Sequence, residues 1–314
     1  MNLVAEFLAG SSLRSATMIL DGALATELEA RGADLRDPLW SAKILIEQPA
    51  LIRAVHRDYF LAGADVATTA TYQASLAGFA RRGIDAAAAA GLMRNAVDLA
   101  RSARDEFWSD ERNRRGRQRP LVAASVGPYG AALADGSEYR GNYQLSDSEL
   151  RDFHRPRIAA LAGSGADLLA IETLPSEREA RVLAQLLQEF APVPAWFAFS
   201  CKDGQHTSEG QRIRDCVALL EPFAQVVAVG VNCTQPGYIL SLLQEMRGST
   251  DKPLLVYPNS GELYDGKARR WLGNPGPTPF AAQANRWCEA GARLIGGCCR
   301  TTPADIRALR QALS

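Results

Sequence analysis

"GSGADLLAIETLP", residues 163–175, is the stretch that decides the fold. Its glycines suit a chain leaving a helix in the left-handed conformation, and the apolar run behind them then starts a strand. That run is continuous rather than alternating, which fits a strand covered on both faces, as in a parallel sheet flanked by helices. It ends on Glu172 and Thr173, polar residues at a strand tip. The same re-entry phrase returns as "AGADV" (62–66) and "EAGARLI" (289–295).

Working outward, short apolar runs of this type begin at Met18, Ala64, Leu121, Asp167, Ala195, Val226, Pro253 and Arg293. Helix-like stretches such as "PALIRAVHRDYFLAGA", "SEREARVLAQLLQEF" and "PFAAQANRWCEAGA" lie between them. Eight such units in 314 residues match the rhythm of a closed α/β barrel, a single (β/α)8 TIM-type domain over 1–314. A doubly wound open sheet ranks second. No G-x-G-x-x-G follows the first strand and no change of composition divides the chain.

The charges balance, 35 Lys and Arg against 35 Asp and Glu, so no global field favours nucleic acid or an anionic membrane. A small-molecule partner is expected, with the chain a monomer or small homo-oligomer. Five arginines crowd "SDERNRRGRQRP" (109–120), read as a solvated connection because it lacks an aromatic residue for stacking. The N-terminal apolar patch is broken by Glu6 and has no basic flank, and no run approaches a membrane span. Six cysteines are too sparse for a disulfide scaffold, which together with the N-terminus predicts a reducing, cytoplasmic setting.

A barrel gathers the C-terminal tips of its strands at one mouth. The candidate tips are Asp21 and Gly22, Thr69 to Tyr72, Tyr129, Glu172 and Thr173, Cys201, Asn232 and Cys233, Asn259 and Ser260, and Gly296 to Arg300. Cys233 ends the sixth run, and Cys298 with Cys299 ends the eighth. Three thiolates with no evident fourth ligand fit a zinc ion with one open position, and Gly296 and Gly297 allow the close approach two adjacent ligands need. Cys201 is a competing ligand or a free thiol, and a vicinal Cys298–Cys299 disulfide is a strained alternative. Cys216 and Cys288 read as small buried hydrophobes within helices. Three histidines, His56, His154 and His206, give no basis for a histidine-rich metal site.

The segments "ILDGALATELEARG", "ASVGPYGAALADGSEYRG", "IETLP", "VGVNC", "YPNSGELYD" and "LIGGCCRTTP" together resemble the bacterial homocysteine S-methyltransferase family that uses S-methylmethionine. That group is related to betaine–homocysteine methyltransferase and to the homocysteine half of methionine synthase. The resemblance spans the chain from about Met18 to its end. It implies one zinc ion per chain on Cys233, Cys298 and Cys299, with the homocysteine sulfur in the fourth position. It also implies that Asp21 and Glu172 hold the homocysteine amino group, with Gly22, Thr69 and Tyr72 nearby. The donor implied is a sulfonium, S-methylmethionine or also S-adenosylmethionine, for which Tyr72, Tyr129, Tyr139, Tyr143 and Tyr257 offer aromatic faces. The loop 133–143 is the candidate lid or donor contact. Betaine as donor, a selenol as acceptor, and a non-catalytic zinc or thiol sensor with Cys201 as fourth ligand are the alternatives.

Overall fold

The computed structural model of the chain describes residues 2–13, 16–35, 41–190, 192–265, 270–272 and 280–314. All eight expected strands form: β1 (Met18–Ile19), β2 (Val66–Thr68), β3 (Leu121–Val126), β4 (Leu168–Leu174), β5 (Ala195–Phe199), β6 (Val226–Asn232), β7 (Leu254–Tyr257) and β10 (Ala292–Ile295). They run in the sheet order β1-β10-β7-β6-β5-β4-β3-β2, every neighbour parallel. A bridge between Leu20 and Val66 joins the two ends, and the sheet becomes a (β/α)8 barrel. An antiparallel hairpin, β8 (Leu263–Asp265) with β9 (Arg270–Leu272), interrupts the rhythm after β7 and was not anticipated.

The continuous apolar runs are explained by two cores. Met18, Leu20, Ala123, Leu168, Ala170, Trp196 and Leu255 fill the inside of the barrel, while Ile19, Val122, Leu169, Ile171, Phe197 and Val256 face the helices. Strand period 2 sends alternate residues of one strand into different cores, so both sets must be apolar. The helix Leu3–Ala9, which the sequence showed only as an interrupted apolar patch, adds Val4, Phe7 and Leu8 to the inner cluster. They join it beside Leu121 and Val227 at the strands' starts, stoppering the barrel floor. No helix among the described residues is long and apolar enough to cross a membrane.

The re-entry phrases repay a closer look. Gly63, Gly165 and Gly291 all take positive φ (119°, 81° and 111°), a conformation glycine adopts without steric cost. In the first two phrases the following aspartate clips a neighbouring strand. Asp65 Oδ2 accepts from the Ile19 amide at 2.9 Å, and Asp167 Oδ2 from the Val122 amide at 2.7 Å. Each acid also holds a helix arginine: Arg310 lies 2.9 Å from both oxygens of Asp65, and Arg104 2.8 Å from Asp167. Arg293 takes that position in the third phrase and donates instead to the carbonyls of Cys288 and Ala292. The arginine-rich connection is only partly solvated, correcting the sequence reading. Arg117 is drawn in, donating to the carbonyls of Phe60 and Ala64 and lying 4.9 Å over the Phe107 ring.

His56 sits on the helix Pro49–Ala62, fully buried, with neither ring nitrogen hydrogen-bonded. Burial lowers its pKa from 6.5 to about 4. The unfolded chain therefore takes up this proton below pH 6.5, whereas the folded chain refuses it until about pH 4. Stability is expected to fall by about 3 kcal/mol from this group across that window. His154, also buried with a lowered pKa, adds in the same direction. His56→Leu should flatten the acid limb, as read by urea titrations at pH 7 and pH 4.5.

Candidate active site

Cys233 follows β6 with φ at 50°, and Cys298 and Cys299 follow β10. Strand β7 lies between those two in the sheet, and the segment after it laces their tips together. The Cys233 amide donates to the Tyr257 carbonyl (3.2 Å), the Cys298 amide to Pro258 (2.7 Å), the Asn259 amide to Thr234 (3.1 Å) and the Ser260 amide to Cys299 (3.0 Å). Arg300 anchors the same segment by an ion pair to Glu262 at 2.9 Å. The two glycines are required by closeness. A Cβ on Gly296 would sit 2.5 Å from that of Leu20, and one on Gly297 would collide with the Thr301 side chain.

The three sulfurs meet. Cys233 Sγ lies 2.9 Å from Cys298 Sγ and 3.5 Å from Cys299 Sγ, with 4.0 Å between the last two. The thiols of Cys298 and Cys299 hold Cys233 well below the usual thiol pKa, while they are themselves pushed up. None of the six cysteines is in a disulfide, so Cys298 and Cys299 form no vicinal one. Among the described residues this trio is the group with the spacing to hold a metal ion, and Cys201 is not part of it. Cys201 is buried in the outer core, its thiol pushed up by burial. Cys216 and Cys288 are buried as expected.

Beside the sulfurs lies a cavity of about 320 Å³ whose lining includes Asp21, Gly22, Thr69, Tyr72, Glu172 and Tyr139. Asp21 accepts from the Thr68 amide (2.7 Å) and hydroxyl (2.9 Å). Glu172 accepts from the Ser125 hydroxyl and, at 3.1 Å, from Tyr257, whose own oxygen receives the Trp196 indole at 3.1 Å. Burial pushes Asp21 up to about 8, against its bonds to Thr68, and Glu172 up to about 7, against its bonds to Ser125 and Tyr257. Two desolvated carboxyls of this kind ask for a cation.

Period 2 places Thr68 two residues after Val66, and Ser125 two after Ala123, on the inward faces, so a strict alternation count would have picked out both. Thr69 lines the cavity, but its hydroxyl is engaged by the Ser125 amide (3.1 Å) and Thr71 (2.8 Å). Asn232 is buried and clamps Thr173: its Oδ1 accepts from the Thr173 amide at 2.7 Å and its Nδ2 donates to Oγ1 at 2.8 Å, across a residue at φ 59°. Of the five tyrosines, Tyr72, Tyr139 and Tyr257 line the cavity, and the Tyr139 hydroxyl is 3.4 Å from Cys233 Sγ. Tyr129 and Tyr143 instead pack edge to face, ring centres 5.2 Å apart, and are not part of the lining.

The loop 133–143 lines one side of the cavity and is tied to its surroundings at several points. It carries the short 3-10 turn Ser137–Tyr139, whose backbone approaches Gly130 so closely that a Cβ there would lie 2.6 Å from the Glu138 nitrogen. Ser200 Oγ donates to the Glu138 carbonyl at 3.2 Å, and Glu209 accepts from the Asn142 amide. The loop thus lies where either a lid or a donor contact would have to lie, against the cavity.

The sequence model of the homocysteine S-methyltransferase family matches residues 18–313. The chain belongs to that family. It is 54% identical to the homocysteine S-methyltransferase YbgG of Bacillus subtilis over 92% of each chain. It is 48% identical to the selenocysteine Se-methyltransferase of Brassica oleracea, covering 94% of this chain and 88% of that one. The crystal structure of the Escherichia coli homocysteine methyltransferase MmuM in its metallated form superposes with a TM-score of 0.84 at 50% identity, covering 94% of this chain and 96% of that one. The sequence resemblance and the barrel are therefore borne out together.

Proposed function

We propose that the chain transfers a methyl group from a sulfonium donor of the S-methylmethionine type to the thiol of homocysteine, with one zinc ion on Cys233, Cys298 and Cys299. The observation that carries this is the meeting of three sulfurs, all within 4.8 Å of one another, at a cavity that also buries two carboxyls. The donor set fits the metal. Three sulfurs at about 2.3 Å around a tetrahedral zinc lie about 3.8 Å apart, and the observed separations of 2.9, 3.5 and 4.0 Å bracket that figure. When bound, zinc supplies a lowered pKa for the substrate thiol, which attacks as its thiolate at neutral pH.

The chain's own residues do the rest. Asp21 and Glu172 receive the substrate's α-ammonium, whose charge reverses the cost of ionising two buried acids. Thr68, Ser125 and Tyr257 aim their oxygens. The 133–143 loop covers one side of the cavity, where it would limit water at the reacting atoms and leave the donor to approach the sulfur in line. A C–S bond forms to the acceptor, the donor's C–S⁺ bond breaks, and a neutral thioether leaves.

Incubating purified protein with homocysteine and S-methylmethionine, S-adenosylmethionine or betaine, with zinc measured in the same sample, tests this reading. Methionine from a sulfonium donor is expected. Bound zinc with no turnover on any donor would sink it in favour of the sensor reading. That reading already lacks its fourth ligand among the described residues, since Cys201 stands apart. The likeness to a selenocysteine Se-methyltransferase favours testing a selenol as second acceptor.

A pH dependence follows from the acids. Methionine, the product, has the amino group but no thiol proton, so its binding reports the acids of the cavity; because burial pushes Glu138 up to about 7 as well, a Glu138→Gln background isolates Asp21 and Glu172. With folded values of about 8 and about 7, both acids are neutral at pH 6 and ionised by pH 8.5. Methionine affinity is expected to rise about tenfold over that range, one pK unit of coupling being about 1.4 kcal/mol. A flat calorimetric profile would remove the acids from the ammonium site.

A further inference from the structure

Beyond the pair of acids already described, a third carboxylate faces the cavity. Glu138 lies on the 3-10 turn Ser137–Tyr139, among lining residues that include Tyr72, Tyr139 and Cys233. Its Oε2 is buried and has no hydrogen-bond partner. Among the described residues it forms no ion pair: its neighbour Arg140 turns instead to Ser137 Oγ at 3.1 Å and towards Asp135 at 3.8 Å. A carboxylate with one oxygen buried and unpaired is costly, and the backbone that carries this one is held in place. Gly130 admits the turn's backbone at closest approach, Ser200 holds the Glu138 carbonyl, and Glu209 secures the loop's far end.

Asp21 and Glu172 differ from it in kind. Their oxygens are taken up by Thr68, Ser125 and Tyr257, which aims them at one ligand group. Glu138 instead stands with Tyr72 and Tyr139, whose hydroxyl is 3.4 Å from the Cys233 sulfur. A carboxylate beside two aromatic side chains suits a weakly hydrated onium cation, which gains from the charge and from the ring faces and needs no directional hydrogen bond.

We propose that Glu138, carried on the loop 133–143 beside Cys233, is the anionic partner of the methyl donor's sulfonium centre and sets the enzyme's preference for a positively charged donor. The inference rests on the methyl-transfer reading above and assigns the donor's half of the cavity. It gives the leaving step its electrostatics as well. The donor loses its positive charge as the methyl departs, so Glu138 governs donor binding more than the rate of transfer.

The test uses Glu138→Gln and Glu138→Asp in the zinc-loaded protein, with the trimethylsulfonium ion as a probe that has a sulfonium but no amino group. Glu138→Gln is expected to raise the KM for S-methylmethionine and the Kd of trimethylsulfonium, measured by calorimetry, each at least tenfold. Zinc content and the KM for homocysteine should stay within twofold and the melting temperature within about 3 °C, and Glu138→Asp should recover part of the loss. Unchanged binding of trimethylsulfonium overturns the proposal, including the case where only S-methylmethionine weakens, since Glu138 would then hold the donor's ammonium. Equal weakening of homocysteine overturns it too, as a general loss of the cavity. The binding arm needs no turnover: trimethylsulfonium affinity that depends on Glu138 in a protein inactive on every donor would leave this assignment standing and remove the methyl-transfer reading.

Discussion

Replacing Cys233 with serine is expected to abolish metal retention and to lower methionine formation by about a thousandfold or more. The argument is geometric as well as chemical. Cys233 is the sulfur nearest to both others, at 2.9 and 3.5 Å. A serine hydroxyl stays protonated and is a poor partner for a soft ion. Two cysteines alone, 4.0 Å apart on consecutive residues, leave half the tetrahedron unfilled. Metal content by elemental analysis and methionine formation should fall together, whereas Cys201→Ser should leave both intact because Cys201 lies outside the group. Retained zinc at one ion per chain in Cys233→Ser would disprove the ligand assignment.

Asp65→Ala should damage the fold severely, costing about 3–5 kcal/mol in denaturant titrations. Asp65 is buried, accepts the Ile19 amide, and sits against Arg310 at 2.9 Å and Arg117 at 3.3 Å. Alanine would strand one amide and two part-buried guanidinium groups around a void. Asp65→Asn keeps an acceptor for Ile19 and should lose less. Asp167→Ala is the internal comparison: it clips β3 in the same way, but its side chain is 27% exposed and water can replace it. A loss at Asp65 no greater than at Asp167 would show that the charge cluster contributes little.

The barrel was legible because its cause is local. Continuous apolar runs, glycines at left-handed exits and polar tips are written residue by residue, and all eight strands formed where those signs stood. The cysteines, Asp21 and Glu172 were found for the same reason, since each ends a run. The inner partners were not. That Ser125 meets Glu172, or that Tyr257 reaches it from β7, depends on the stagger between strands, which alternation within one strand does not encode. Glu138 was hidden in a loop whose path is set by Gly130 and Ser200 from two other segments. The helix Leu3–Ala9 escaped because a seven-residue amphipathic turn is too short to stand out until the barrel floor gives it something to cover.

The barrel's ends are joined by a short seam: β1 is two residues long, one bridge pairs Leu20 with Val66, and Asp65, just before β2, holds Ile19 through its amide and its side chain. Just above that seam, Asp21 grips the amide and hydroxyl of Thr68. On the proposed reading, the acid that would receive the substrate's ammonium is also a clasp of the sheet. An arriving cation would share those oxygens with the clasp, so ligand occupancy and the breathing of the seam would become one equilibrium, and the exchange rate of a single amide, that of Thr68, would gauge how full the site is.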